Sequence, residues 1–359
     1  MHPVTPHRIH SLRAHLLAIP RSKPFQYGYR PSGFHRICPP TLNRGSLIAT
    51  YFPSDLRNLA LPWTFRYNLR GFSHLKKRLL SREVIRKIAR STTNFTLDTN
   101  YKCLRAAHLE QWPSIADDDE VTFQLLANLQ APKKELIVDV ASLSRWYGDR
   151  GSRHSYFWRS FTSLSLRKGS YLSTPFDDCL PTVAQFMKDI VPMARLQRIN
   201  MDTSVVYGIH YIAALLPASI WIEHLLSESC TGSDFHFGPK AAEVTSEVIQ
   251  RWREIDPRRL PQKTFSGMWM NSANTREFSE FDMELADLPL RQKIDRIVAD
   301  ANRKKVETRI EYIEHPVYPG FRICVVFIGA GETKQEFGET KKWTKEDWFS
   351  RAPCTLHIE

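Results

Sequence analysis

Residues 306–328 read VETRIEYIEHPVYPGFRICVVFI, and this stretch decides the fold. From Val306 to Ile313, apolar or β-branched residues alternate with mostly charged ones, which is the period-two pattern of a half-buried strand. The prolines and the glycine of Pro316–Gly320 then turn the chain. Phe321–Ile328 is almost continuously apolar, so it predicts a returning strand that is buried on both faces. The stretch as a whole predicts a β-hairpin near the C-terminus.

Upstream of the hairpin, helical and strand signals are mixed. The short apolar run Leu136–Val140 predicts a buried strand. Helices are predicted at Thr182–Leu196, Ala241–Trp252 and Arg291–Lys305. No internal repeat of about 20–50 residues is visible, which argues against solenoids and propellers. The mixed order predicts the α+β class, with helices packed on a small mixed sheet and the β-hairpin at the C-terminal end.

Composition excludes several classes of protein. The 359 residues are 42% apolar and 25% charged, within the globular range, so the chain is neither collagen-like nor wholly disordered. Six cysteines in this length do not form a disulfide scaffold, and they include no C-x-x-C pair of the kind that holds structural zinc. The sequence therefore predicts no metal and no cofactor.

Positive charge is concentrated at the N-terminal end. Residues 1–90 contain 17 Lys and Arg against two acids, Asp55 and Glu83, although the net charge of the whole chain is only +12. The first 54 residues contain no acid, and His7–Ala18 has the apolar spacing of a short basic amphipathic helix. Residues 1–45 are interpreted as a mitochondrial presequence with a disordered basic tail, which predicts the mitochondrial matrix as the location. A basic, disordered N-terminus without a targeting role is the alternative.

A second basic feature follows within residues 46–115, which are interpreted as a basic helical segment. Phe72–Arg90 has no Gly or Pro and predicts one long helix. Arginines recur on one face of that helix every four residues, which is unfavourable unless an anion lies along them. A phosphate backbone has the right charge, so this segment predicts binding of structured RNA or another polyanion through residues 76–90, by Lys76, Lys77, Arg78, Arg82, Arg86 and Arg90. Cardiolipin head groups, an acidic protein surface and a merely solvated helix face remain alternatives.

Asp139 is the one weak candidate for catalysis. It ends the predicted strand Leu136–Val138, and a carboxylate at the carboxyl end of a strand can hold Mg²⁺ or a nucleotide. No phosphate-binding G-x-x-x-x-G-K-[ST] loop accompanies it, and no G-x-G-x-x-G follows it. A turn or capping role for Asp139 is therefore favoured over catalysis.

Two further segments allow two interpretations each. Aromatic residues at 156–161 lie among basic ones, a mixture that can stack single-stranded nucleic acid, although a buried amphipathic helix is favoured. Residues 203–222 carry no formal charge and are long enough to cross a bilayer. Pro217 interrupts them, so a pair of buried core helices is favoured over contact with the inner membrane.

These observations favour a protein that acts by binding. The leading hypothesis is a non-catalytic, RNA-facing component or assembly partner of a large mitochondrial complex, with the mitochondrial ribosome as the leading candidate. The α+β body, residues 116–359, would then contact protein subunits of the complex. The alternatives are a matrix or inner-membrane enzyme with a metal or nucleotide site at Asp139, and a membrane-anchored assembly factor.

Overall fold

The computed structural model describes only part of the chain, and all the described residues lie in the unit Leu42–Glu359. They are residues 45–55, 58–70, 81–99, 114–116, 119–140, 143, 147, 154–167, 180–193, 195–201, 213, 215–284, 286–301, 307–329, 335–336, 339–340 and 343–359.

Fifteen strands and eight α-helices occur in these residues. The strands are β1 (Gly45–Asp55), β2 (Asn58–Arg70), β3 (Thr92–Asp98), β4 (Ser114–Ile115), β5 (Lys133–Asp139), β6 (Ser163–Arg167), β7 (Arg198–Met201), β8 (Gly232–Asp234), β9 (Lys263–Trp269), β10 (Ser279–Glu280), β11 (Glu307–Glu314), β12 (Arg322–Gly329), β13 (Gln335–Glu336), β14 (Glu339–Thr340) and β15 (Pro353–Ile358). The helices are α1 (Arg82–Ile88), α2 (Glu120–Ala127), α3 (Ser155–Trp158), α4 (Leu180–Ile190), α5 (Ala218–Leu226), α6 (Ala241–Trp252), α7 (Leu288–Ala301) and α8 (Lys345–Arg351).

Most of the strands belong to one large sheet. Thirteen of the described strands pair in the order β10-β11-β12-β15-β9-β8-β7-β6-β5-β3-β1-β2-β4, and β13 and β14 pair separately. The prediction of helices combined with a mixed sheet is confirmed, but the prediction that the sheet is small is wrong. Most of its strands are short and lie far apart in sequence, so each one alone shows too little hydrophobic alternation to predict a strand.

The centre of the sheet is a run of seven parallel strands. These strands are β1, β3, β5, β6, β7, β8 and β9. Each strand after β1 pairs in parallel with the strand named before it, so the order in the sheet is the order along the chain. Every connection between β3 and β9 contains a helix. Because such crossovers are right-handed, a run that never reverses direction carries its helices on one face.

One face of the parallel run forms the main core. A single row of paired residues crosses it from β3 to β9 and is apolar except for one serine: Leu97, Leu136, Leu164, Ile199, Ser233 and Phe265. Buried residues of α1 to α6 pack against this face in one cluster. The predicted helix Ala241–Trp252 is confirmed as α6, and the predicted strand Leu136–Val140 falls on β5.

The C-terminal end of the sheet is antiparallel. The predicted hairpin falls on β11 and β12, which pair in register from Glu307 opposite Gly329 to Glu314 opposite Arg322. Its turn contains Gly320, whose φ of 90° strains any residue with a side chain. β15 then pairs between β12 and β9 and joins the antiparallel end to the parallel run.

β12 is buried on both faces, as its apolar sequence predicts. Ile323, Val325 and Phe327 join the main core. Cys324 and Val326, which alternate with them, pack with α7 in a second cluster on the opposite face. α7 therefore covers the face of the sheet that α1 to α6 do not cover.

The basic segment 46–115 differs from its prediction. Its described part contains strands β1 to β4 and a single helix, α1. The long helix predicted at Phe72–Arg90 does not form across Ser81, which is extended and accepts a hydrogen bond from the Val84 amide. Serine is a preferred N-cap, because its hydroxyl satisfies an amide that a helix start leaves without a partner. α1 therefore begins at Arg82.

Candidate functional site

The face of the parallel run opposite the main core is polar. Alternation along the strands places two rows of paired residues there. One row is Thr96, Glu135, Ser163, Arg198, Gly232 and Thr264, and the other is Asp98, Ile137, Ser165, Asn200, Asp234 and Ser266. Ser163 and Ser165 are buried, whereas Arg198 and Asp234 are exposed. The most accessible part of this polar face thus lies at β7 and β8, which carry its two exposed residues.

A groove of about 780 Å³ lies along this accessible part. β7, β8, β9 and β15 form one side of it, and α7 contributes Lys293, Arg296 and Ile297 from the other side. α7 is held there by Leu290 and Ile294, which are buried in the second cluster with Cys324 and Val326. The amphipathic pattern of α7 therefore places its basic residues at the edge of the groove.

The groove carries an excess of positive charge. Arg198, Lys293 and Arg296 line it with one carboxylate, that of Asp234. None of the three cations makes an ion pair with any residue that the structure describes. The Nε of Arg198 donates to Oδ1 of Asn200 at 3.1 Å, which positions the guanidinium without neutralising it. A cleft with uncompensated charge of one sign attracts ligands of the opposite sign.

Other buried cations have structural partners. Nζ of Lys134 donates to the carbonyl of Ala127, the last residue of α2, and Nζ of Lys263 donates to the carbonyls of Ser227 and Cys230 just beyond α5. Both lysines thus bind carbonyls at or near the negative ends of helices. Burial lowers the pKa of each lysine to about 8. These two cations stabilise the fold and do not belong to the groove.

His357 lies beside the groove on β15, opposite Thr264. Its Nδ1 is 3.0 Å from the Lys263 carbonyl oxygen and 3.2 Å from Oγ1 of Thr264. Burial lowers the pKa of His357 to about 4, and the positive charge of Lys293 acts in the same direction. The imidazole is therefore neutral at physiological pH, and the positive charge of this wall comes from Lys293 and Arg296.

The predicted polyanion-binding residues are only partly described. Lys76, Lys77 and Arg78 lie outside the described residues. Arg82 and Arg86 lie one turn apart on α1 and are exposed, as is Arg90 in the turn after it. Val84, Ile85 and Ile88 anchor the opposite side of α1 in the main core. A guanidinium nitrogen of Arg82 is 3.9 Å from Oδ1 of Asp119, which compensates part of the charge.

Asp139 occupies the carboxyl end of β5, as predicted, but it is only 4% exposed. Its backbone amide donates to Oγ1 of Thr99 at 3.0 Å, and its register partner on β6 is Arg167. Within the described ranges, no three His, Cys, Asp or Glu side chains cluster in a way that could hold a metal ion. A catalytic role for Asp139 remains a prediction.

The two ambiguous segments are partly described. Phe157, Trp158 and Phe161 are buried in the main core, so the interpretation as a single-strand stacking surface is wrong for them. The helix of the alternative interpretation is short, because α3 contains Phe157 and Trp158 but ends before Phe161. Pro217 precedes α5 as its N-cap instead of interrupting a helix. Among the described residues, no helix combines the length and apolarity that a membrane span requires. Most of residues 202–214 lie outside them.

Sequence reasoning missed the groove entirely. Its residues come from β7, β8, β9, α7 and β15, which are spread over more than 150 positions and share no motif. One local signal was present in α7, where Lys293 and Arg296 are three residues apart and so lie on neighbouring positions of one helix surface. Only the pairing of the strands shows that Arg198 and Thr264 belong to the same surface.

Comparisons with known proteins identify no relative. No protein-family model, no curated protein and no solved structure matches the chain.

Proposed function

We propose that the protein is a non-catalytic component or assembly partner of a large mitochondrial complex, with an RNA-facing surface. The mitochondrial ribosome is the leading candidate. The observation that carries this proposal is the display of Arg82 and Arg86 on α1, with Arg90 just beyond its end. Phosphate backbones are bound by arginines presented on a fixed element in this way.

α1 is a suitable element for this role because its apolar side is fixed in place. Val84, Ile85 and Ile88 are buried in the main core, so the arginines on the other side keep a constant direction. Only Arg82 has a carboxylate within ion-pair distance among the described residues, at 3.9 Å and partly exposed, and such pairs are weak. The positive charge of α1 is therefore available to an anionic partner.

The proposed address depends on the N-terminal sequence. The first 54 residues carry no acid and contain a short basic amphipathic pattern, which supports import into the mitochondrial matrix. In this proposal residues 116–359, which carry little net charge, contact protein subunits of the complex. Asp139 then has a structural role.

Sedimentation of a mitochondrial lysate tests the complex. We expect the protein to migrate with a ribosomal subunit and to leave that fraction after RNase treatment. Migration as a small species, with or without RNase, would contradict the proposal. Import of the full-length chain into isolated mitochondria, with loss of import on removal of residues 1–45, tests the address separately.

The salt dependence of RNA binding tests α1 directly. Each phosphate contact contributes about 1 to the slope of log affinity against log salt concentration, so the double substitution Arg82→Gln and Arg86→Gln is expected to lower that slope by about 2. Arg259→Gln with Arg276→Gln is the control, because both arginines are exposed and lie outside α1. Equal slopes for the two double variants would remove α1 from the proposal.

A further inference from the structure

We propose that the groove between α7 and strands β7 to β9 is a second binding site, for a small organic phosphate that is rich in hydroxyl groups, such as a sugar phosphate. This proposal concerns different residues from the RNA-facing surface and does not depend on it. Six residues carry the argument: Arg198, Asp234, Thr264, Ser266, Lys293 and Arg296.

The charge of the groove indicates an anionic group. Arg198 on β7 and the pair Lys293 and Arg296 on α7 face the same space, and none of them is neutralised by a described carboxylate. A phosphate presents several oxygens and can accept from cations on two walls at once, and hydrogen bonds to a charged group are stronger than neutral ones. Two positively charged walls therefore fit a phosphate better than they fit a neutral ligand.

The remaining lining indicates hydroxyl groups on the ligand. Thr264 and Ser266 supply side-chain hydroxyls on adjacent rows of the polar face, and Asp234 can accept from a ligand hydroxyl. No Phe, Tyr or Trp is among the described residues that line the groove, and His236 supplies the one ring there on which a nucleobase could stack. This composition favours a sugar or polyol over a nucleotide.

The size of the groove agrees with a small molecule. Its volume of about 780 Å³ falls within the ~300–1,000 Å³ typical of small-molecule sites. It exceeds the space that a single inorganic phosphate fills. The groove also lies away from α1. The strand that follows α1 is β3, and β3 is four strands from β8 in the sheet, which is roughly 19 Å at ~4.8 Å per strand.

Calorimetric titration of the purified full-length protein at low salt tests the site. The probes are fructose 1,6-bisphosphate, fructose, inorganic phosphate and AMP. We expect the bisphosphate to bind, fructose to give no signal, and phosphate and AMP to bind more weakly than the bisphosphate. Absence of binding by the bisphosphate at millimolar concentration would overturn the proposal, and tighter binding of AMP would overturn the ligand class.

Substitutions in the wall of α7 localise the site. Lys293→Gln and Arg296→Gln are each expected to weaken bisphosphate binding about tenfold, the effect of losing one hydrogen bond to a charged group. Arg276→Gln is the control, since it removes one exposed positive charge outside the groove. Thermal unfolding of each variant checks that the fold is kept. Equal affinities in all three variants would overturn the proposal, whereas an altered RNA salt slope in the α7 variants would show that the groove serves RNA instead.

Discussion

Two neighbouring regions of the large sheet differ in how their charges are paired. At the antiparallel end both faces of β12 are covered, and the buried charge beside it is compensated: the carboxylate of Glu311 on β11 lies 2.6 Å from the guanidinium of Arg309 and 3.1 Å from Nζ of Lys345. At the end of the parallel run one face remains accessible, and there Arg198 faces the groove without a described ion-pair partner.

This difference follows from the cost of burying charge. A charge that is removed from water must be paired or it destabilises the fold, so the covered end can contain only compensated charges. A charge on an accessible face stays hydrated and can remain unpaired until a ligand binds. Charged residues that form ion pairs therefore stabilise this protein, whereas charged residues without an ion pair are available to a partner.

The largest expected effect comes from breaking the compensated charge at the antiparallel end. Glu311 is 0% exposed, so Glu311→Ala leaves Lys345 partly buried without its carboxylate and leaves Arg309 only the exposed carboxylate of Glu280. We expect the free energy of unfolding to fall by about 3–5 kcal/mol, as for other buried pairs that lose one partner. Chemical denaturation measures this loss.

Glu307→Ala is the matched control on the same strand. Glu307 is exposed and no described residue forms an ion pair with it, so its removal should change stability by less than about 0.5 kcal/mol. Similar losses of unfolding free energy in the two variants would show that any substitution on β11 has this effect, and that the buried ion pairs of Glu311 do not cause it.

The next prediction compares the two faces of a single parallel strand. Leu164 on β6 is fully buried in the main core, and its neighbour Ser165 points to the polar face. Leu164→Ala should lower the free energy of unfolding by about 2–5 kcal/mol, because it removes buried methyl groups and leaves a cavity. Ser165→Ala should cost less than about 1 kcal/mol. A larger loss for Ser165→Ala would contradict the assignment of the core to the helix-covered face.

Within the antiparallel end, the β11–β12 pair was predictable from sequence because its signals are local. Both strands of the hairpin and its turn lie within residues 306–328, and alternation over eight residues gives the strand and its buried face together. α6 was predictable for the same reason, since its buried residues recur at helical spacing over twelve positions.

The parallel run was not predictable in this way. β7 and β8 contain four and three residues, too few to show an alternating pattern, and the β8 segment Gly232–Asp234 contains no large apolar side chain. The connections between successive strands differ in length and sequence, so the stacked units do not form a visible repeat. The groove depends on this stacking, and for that reason its residues could not be assembled from the sequence.

The smallest expected effect concerns two buried histidines, one on α5 of the parallel run and one on β15, which joins that run to the antiparallel end. Burial lowers the pKa of His224 on α5 and of His357 on β15 to about 4 from an ordinary 6.5. Between these values the unfolded chain binds more protons than the folded protein, so stability is complete above pH 6.5 and is lost as the pH falls towards 4. At pH 5 each histidine should cost roughly 2 kcal/mol relative to pH 7.

Denaturation at pH 7 and pH 5 distinguishes the two positions. His224 is buried, and neither of its ring nitrogens has a hydrogen-bond partner among the described residues, so His224→Leu should remove its share of the acid sensitivity while preserving the fold at pH 7. His357 is hydrogen-bonded to Lys263, so His357→Leu should also destabilise the protein at pH 7. If both variants kept the full acid sensitivity of the wild type, protonation of other groups would have to explain it. If only His224→Leu reduced it, the groove side of β15 would have to be hydrated enough to accept a charged imidazole, and His357 would then belong to the accessible face of the sheet.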